Sequence, residues 1–296
     1  MVRKTAGDFH PEILKLFDGY IHGLLSRREF LERGAKFAVA GVSAAALLEE
    51  LSPNYALAQQ VAKDDARIAA EYLTYPSPQG SGSVRGYFAR PAKASGPLPG
   101  VVVIHENRGL NPYITDVARR LAVEGFVALA PDALSPAGGY PGSEEKAAAL
   151  FASLDPQKRS EDLFAAYGFL KSQPACSGRV AAIGFCFGGT VSNQMAVRFA
   201  DLAAAVPFYG GQPNAADTAR IKAPLMLHYA GLDQRINAGW PAYEEALKAN
   251  GIRYQAYFYP NTNHGFHNDT TPRYDENAAK LAWTRTVAFL NEHLLR

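Results

Sequence analysis

Only two cysteines, Cys176 and Cys186, occur among 296 residues. That scarcity excludes a disulfide scaffold and a zinc site built from four thiolates. An excess of one charge is also missing, since 30 Lys and Arg stand against 28 Asp and Glu, leaving +2. A chain held on nucleic acid by phosphate neutralisation would show a clustered basic surplus, so this balance argues against nucleic acid as a partner. No apolar run reaches the 18 or so residues that a membrane span needs. There is no internal repeat. What the chain does have is core material: 48% of residues are apolar and 11% aromatic, enough to bury a large interior in one large domain or two smaller ones.

The first 58 residues read as an address. Ser26-Arg27-Arg28-Glu29-Phe30-Leu31 precedes an Ala-rich apolar stretch at 37–48, too short to span a membrane, and Ala56-Leu57-Ala58 gives a small-x-small cleavage pattern. The segment resembles the twin-arginine export signal of bacteria, with Glu32 where that pattern usually carries Lys. The resemblance implies passage of a folded chain through the twin-arginine translocation machinery, a periplasmic or secreted location, and a mature protein of residues 59–296 with no membrane attachment. An amphipathic N-terminal helix with an incidental Arg pair is the alternative. The segment carries seven basic and seven acidic residues, so its removal leaves the net charge at +2. Residues 1–25 contain no motif.

Beyond residue 59, runs of Val, Ile, Leu, Phe and Ala alternate with amphipathic stretches, which predicts βα units around a mostly parallel sheet covered on both faces. Strands are expected near 70–75, 83–89, 100–105, 126–130, 179–184, 203–208, 224–230 and 253–259. Helices are expected from Asn111-Pro112 to about Glu124, and near 143–153, 160–172, 188–199, 240–250 and 276–294. No linker divides 59–296, so one α/β domain is predicted.

One strand leads into Gly184-Phe185-Cys186-Phe187-Gly188-Gly189 and then into a helical pattern. A Gly-x-nucleophile-x-Gly elbow needs this strand–turn–helix context, because glycines on either side let the two backbones approach closely. A buried structural cysteine is the bland alternative. A bridge to Cys176 is ruled out by distance: ten mostly extended residues span about 25–33 Å, against a Cα limit near 7 Å. A nucleophile needs a base and an orienting acid, which in such sheets follow it in the order acid, then His. Asp233 follows the apolar strand 224–229, and His264 lies in a loop after the strand ending Tyr259-Pro260. His264 would move the proton and Asp233 would fix its tautomer. His228 sits inside a strand and reads as core. His267 stands three residues after His264 but lacks the ligand set of a metal pair. His105 lies at a strand end beside Glu106 and has no assigned role. No cofactor or metal is implied.

These residues resemble the dienelactone hydrolase (carboxymethylenebutenolidase) family, a Cys-His-Asp branch of the α/β-hydrolases, over essentially 70–295. The resemblance rests on the Gly-x-Cys-x-Gly-Gly elbow, the Gly-x-Asp acid loop, and His264-Gly265-Phe266-His267-Asn268 before the last helix. It also rests on His105-Glu106-Asn107-Arg108-Gly109, on Ala118-Arg119-Arg120-Leu121 and on Ala130-Pro131-Asp132. It implies an α/β-hydrolase fold of about eight strands with helices on both faces, and hydrolysis of a lactone or small ester through a thioacyl intermediate. Cys186, Asp233 and His264 would be catalytic. Glu106 would match a carboxylate that gates the thiol, and the backbone N–H groups of Phe187 and Asn107 would form the oxyanion hole. Members that bind a substrate carboxylate carry an arginine four residues after the catalytic His; here that residue is Asn268. Arg108, Arg235 and Arg273 are the candidates to replace it. A broad carboxylesterase without dienelactone activity is the second reading, and a non-catalytic small-molecule binder the third.

Overall fold

The computed structural model describes residues 3–38 and 42–295; part of the apolar stretch at 37–48 therefore lies outside the described residues. Eight strands form one sheet: β1 (Ile68–Ser77), β2 (Gly82–Pro91), β3 (Leu98–Ile104), β4 (Val127–Pro131), β5 (Cys176–Phe185), β6 (Ala204–Phe208), β7 (Leu225–Ala230) and β8 (Tyr254–Tyr259). Their order is β1-β2-β4-β3-β5-β6-β7-β8. β1 and β2 pair antiparallel to each other, β2 pairs antiparallel to β4, and every later neighbour is parallel. The architecture is the mostly parallel, doubly covered sheet that the sequence predicts.

Side-chain alternation explains the two covers. In β3, Val101 and Val103 face one hydrophobic core while Val102 and Ile104 face the other, and all four are fully buried. A strand buried on both faces has no polar face to show, hence its unbroken apolar run. The first core is closed by α4 (Pro112–Val123) and the C-terminal helix Glu276–Leu294; the second by the helices Pro156–Lys171, Phe187–Arg198 and Trp240–Ala249. Asn111 caps α4 by accepting from Ile114 N, with Pro112 in the first turn, as its sequence signals require.

The described residues of the segment before 59 are folded onto this domain. α1 (Pro11–Ile21), α2 (Arg27–Gly34) and α3 (Ala44–Leu51) bury Phe9, Ile13, Leu14, Phe17, Phe30, Leu48 and Leu51 in a core of their own. Ser26 and Glu29 form a reciprocal capping box at the start of α2. Arg27 and Arg28 are exposed, and Arg28 pairs with Glu32 one turn on. Polar contacts fasten the unit to the domain: Asn54 N donates to Thr270 O (2.7 Å), Arg3 to Asp269 O (2.5 Å), and Tyr55 OH to Glu144 (2.6 Å). No helix of the described residues is long and apolar enough to cross a membrane.

A buried charge network joins α4 to both flanking segments. Asp116 accepts from Val61 N (3.0 Å), Arg119 Nη2 (3.1 Å) and Arg120 Nε (2.7 Å), and Asp269 accepts from Arg120 (2.5 Å) and Gln60 Nε2 (2.6 Å). Removing one member of such a network leaves its partners charged and unpaired, at a cost of about 3–5 kcal/mol. Asp116→Ala is therefore expected to lower the unfolding free energy by about that amount, measured as a fall in urea midpoint at constant slope.

Candidate active site

β5 ends at Phe185 and the next helix, α7 in chain order (Phe187–Arg198), begins two residues later, so Cys186 alone makes the turn. It does so at φ 56° and ψ −113°, a region where a non-glycine residue is strained by about 1–3 kcal/mol. The glycines make the turn possible. A Cβ on Gly184 would lie 1.8 Å from Gly188 O, and one on Gly188 would lie 2.2 Å from Ile104 O; neither position can carry a side chain. The same closeness puts the Cys186 sulfur above the carboxyl ends of the parallel strands, where sites in such sheets assemble.

Asp233 follows β7 and caps the short helix Gln234–Asn237, accepting from Ile236 N at 3.2 Å. Its other oxygen, Oδ2, lies 2.5 Å from His264 Nδ1, and both side chains are almost wholly buried. Because Nδ1 faces a carboxylate it carries the ring's proton, which leaves Nε2 as the base when the ring is neutral. Nε2 has no hydrogen-bond partner among the described residues. A nitrogen of this ring lies within 4.8 Å of the Cys186 sulfur. The three residues chosen from sequence therefore meet in one place.

A fourth group reaches the sulfur. His22, at the C-terminal end of α1, places Nε2 3.4 Å from Cys186 Sγ. Its ring meets that of His264 edge to face, with centroids 4.6 Å apart. Burial pushes the thiol up, but the two imidazoles outweigh it and hold Cys186 well below its ordinary value. Burial likewise lowers His264, and the sulfur and Asp233 reverse this, so its pKa is raised. Thiolate and imidazolium stabilise each other. The donor atoms of His22, Cys186 and His264 all lie within 4.8 Å of one another, a sulfur and two nitrogens of the kind that suit a soft divalent ion. Sequence reasoning missed this grouping because it drew no reading from residues 1–25.

Glu106 follows β3. Burial and the nearby sulfur push its carboxyl up to about 7, against the opposing pull of Arg273, His264 and Asn268. Asn268, four residues after His264, donates Nδ2 to Glu106 Oε2 at 2.9 Å. Its Oδ1 accepts from Thr270 N and Oγ1 (3.1 and 2.6 Å), which fixes the amide's orientation. Behind Glu106, His105 accepts from Ala133 N (3.0 Å) and its Nδ1 meets Glu106 O, so it fastens the loop rather than lining the site. Phe187 opens its helix and Asn107 lies in the turn after β3, where the two proposed oxyanion amides belong. His228 is core, held by Tyr259 and Thr286 and lowered to about 3 by burial and Arg285. His267 turns away from His264 onto Tyr113 OH (2.7 Å). Cys176 is a free, buried thiol at the far end of β5.

All three candidate arginines touch the N-terminal unit. Arg108 donates to Ile21 O (3.1 Å) and lies 3.7 Å from Glu144. Arg235 lies 3.7 Å from Asp18 and 3.0 Å from His22 Nε2. Arg273 covers the Phe17 ring, 5.1 Å from its centroid, and lies 4.0 Å from Asp18. A cavity of about 530 Å³ opens between domain and N-terminal unit, lined by Phe17, Tyr20 and Leu48 on one side and Cys186, His264 and Arg273 on the other.

Residues 84–294 match the Dienelactone hydrolase family, and residues 1–39 match a separate YqhI-like family. An Escherichia coli O157:H7 protein provisionally named a carboxymethylenebutenolidase is 31% identical over 245 residues, covering 78% of this chain and 89% of that one. Protein usf of Aquifex pyrophilus is 37% identical over 223 residues, covering 71% and 94%. The crystal structure of P91 from metagenomic libraries, described as a dienelactone hydrolase-like promiscuous phosphotriesterase, shares 29% identity at a TM-score of 0.66, covering 77% and 99%.

The position of Glu106 gives a pH test. A carboxyl near 7 is neutral below that pH and anionic above it, and a carboxylate beside the sulfur opposes thiolate formation. Glu106→Gln is therefore expected to speed alkylation of Cys186 by iodoacetamide at pH 8, with the two proteins converging near pH 5. The raised pKa also means that wild-type stability is greatest at low pH and falls, relative to the variant, as pH rises through 7; paired thermal melts at pH 5 and pH 8 measure it.

Proposed function

This chain belongs to the dienelactone hydrolase family and is a carboxylic-ester hydrolase, and on that premise we propose that it cleaves lactones or small activated esters through Cys186, His264 and Asp233. The observation that carries the reading is the strained elbow that presents the Cys186 sulfur within 4.8 Å of a His264 ring already oriented by Asp233.

The sulfur attacks the carbonyl carbon, forming a C–S bond while the carbonyl oxygen becomes an oxyanion on the Phe187 and Asn107 N–H groups. The ester C–O bond then breaks, and the departing oxygen takes the proton that left the thiol, carried by imidazole. In the second half His264 takes a proton from water as the water attacks the thioester, and the C–S bond breaks with the electron pair returning to sulfur. A thiolate leaves more readily than an alkoxide, so an ester of a poor leaving group tends to revert. Enol lactones and aryl esters are the favoured class.

Arg273 supports a finer assignment. It lines the cavity, it is 7% exposed, and its Nε and Nη1 have no hydrogen-bond partner among the described residues. A buried guanidinium with free N–H groups suits a carboxylate. We assign it to a substrate carboxylate, the role that Asn268 cannot fill. Arg108 and Arg235 hydrogen-bond the N-terminal unit, at Ile21 O and His22 Nε2, whereas Arg273 meets it through a 4.0 Å ion contact with Asp18 and the face of Phe17.

Hydrolysis by purified protein, with a carboxylate-bearing enol lactone and a neutral aryl ester, tests both statements. Cys186→Ala is expected to lose at least about 10³-fold in turnover on both substrates while remaining folded; full activity would overturn the mechanism. Arg273→Gln is expected to raise KM for the carboxylate substrate about 10–100-fold, the worth of a charge-assisted hydrogen bond, and to leave the neutral ester within about threefold.

Export by the twin-arginine route is a separate proposal, supported by the exposed Arg27-Arg28 pair. Replacing the pair with Lys-Lys is expected to retain the chain in the cytoplasm, read by fractionation. In that proposal, cleavage after Ala58 would also remove His22 and one side of the cavity, so the mass of the isolated protein decides which active site the cell contains.

A further inference from the structure

A second His–Asp pair faces the nucleophile from outside the hydrolase domain. We propose that the N-terminal helical unit is a working part of the active site, and that His22, aligned by Asp18, is a catalytic imidazole that takes the Cys186 proton. The inference rests on the reading of Cys186 as nucleophile and adds a residue to it.

The geometry fixes the tautomer of His22. Its Nδ1 lies 2.7 Å from Asp18 O and 3.3 Å from Asp18 Oδ1. Both are acceptors, so Nδ1 carries a hydrogen and Nε2 offers a lone pair to the sulfur 3.4 Å away. Arg235 Nη2, 3.0 Å from the same Nε2, can only donate and competes for that lone pair, so transfer of the thiol proton requires this N–H to turn away, toward Asp18, which lies 3.7 Å from Arg235 Nε. His264 and Asp233 repeat this arrangement beside it. Two oriented imidazoles thus converge on one sulfur, with His22 Nε2 3.4 Å from it.

The surroundings suit a proton acceptor. His22 ends α1, where the helix dipole favours an imidazolium. Burial works against that charge, but the sulfur and Asp18 prevail, and the ring's affinity for a proton is raised. Burial also pushes Asp18 up; His22, His264 and Arg273 outweigh it and keep Asp18 ionised well below the usual carboxylate range. The charged and titratable groups around His22 are Asp18 on its own helix, Cys186 at the elbow, His264 and Arg273 on the loop before the last helix, and Arg235 after β7. The position is anchored too. Ile21 O, one residue before His22, accepts from both Asn107 Nδ2 (2.8 Å) and Arg108 Nη2 (3.1 Å), tying α1 to the loop that holds Glu106.

The step balances within the site. The Sγ–H bond breaks, its proton passes to Nε2 of His22, and sulfur keeps the electron pair. After attack, the ester C–O bond breaks and the departing oxygen takes that proton, returning His22 to the neutral form. His264, whose Nε2 is otherwise unpartnered, handles the water in the second half. When the thioester C–S bond breaks, the proton that His264 took from water returns to sulfur.

The test uses the full chain, with p-nitrophenyl acetate for the acylation burst and iodoacetamide alkylation across pH for the thiolate. His22→Gln is expected to slow the burst about 100-fold, within the range for a lost general base, and to move the alkylation midpoint up by about one pH unit or more. Asp18→Asn is expected to shift both in the same direction, about tenfold in the burst. If His22→Gln no longer unfolds in one cooperative transition, Asp18→Asn decides the matter in the same assays. Wild-type burst and alkylation profiles in the deciding variant would overturn the proposal, and so would a faster burst, which would make the unit an obstructing lid. Cys186→Ala run alongside separates the two readings: retained turnover there sinks the nucleophile, whereas lost turnover with unaffected His22→Gln sinks only the role of His22.

Discussion

The structure depends on one close approach, that of β5 to the helix which follows it. Gly184 and Gly188 touch backbone to backbone, and Gly188 also presses on the end of β3. The chain can reverse only through Cys186 in a left-handed conformation. Strain at that residue is borne by the parallel strands on either side, because β3 and β6 both pair with β5 along its length. A sheet buried on both faces cannot relax there without losing core packing. The sulfur is therefore held at a fixed height above the strand ends, and the loops after β3, β7 and β8 are arranged around it.

Around that fixed point the charges alternate. Two carboxylates, Asp18 and Asp233, lie behind two imidazoles that meet edge to face beside the sulfur. Arg235 and Arg273 stand beside Asp18. Glu106 is the acid whose carboxyl burial and the sulfur itself raise, and Asn268 holds it. A neutral amide at 268, in place of a cation, accepts no substrate anion but orients the carboxyl that opposes the thiolate. Recognition of an anion and control of the thiol, which one arginine could serve together, are assigned here to separate residues, Arg273 and Asn268.

Much of this was legible from sequence because it is local. All eight strands fall within three residues of the apolar runs that predicted them, and Cys186, Asp233 and His264 each follow a strand end. Boundaries moved where caps outweighed periodicity: the helix expected from 160 starts at Pro156, because Asp155 caps it by accepting from Gln157 N and Lys158 N. His22 was not legible. It has no neighbouring motif, and its partner lies 164 residues away. The Ser26 to Glu29 capping box and the Arg pair occupy the same few residues, so one stretch of sequence serves both an export reading and a helix start. The three arginines could not be ranked either, since Arg273 is separated from Arg235 by burial and from both others by its lack of hydrogen-bond partners at Nε and Nη1, neither of which spacing reveals.

The docking of the N-terminal helices bears on the order in which the molecule is completed. Residues 3–51 leave the ribosome first, yet the groups that receive them, Asn107, Arg108 and the 269–273 loop, are made 86 to 268 positions later along the hydrogen bonds that join them. Their seven-residue core is too small to stand as a domain of its own. On a growing chain these helices therefore meet all of their docking partners only after the 269–273 loop has been made, and the sulfur is covered from that side only then.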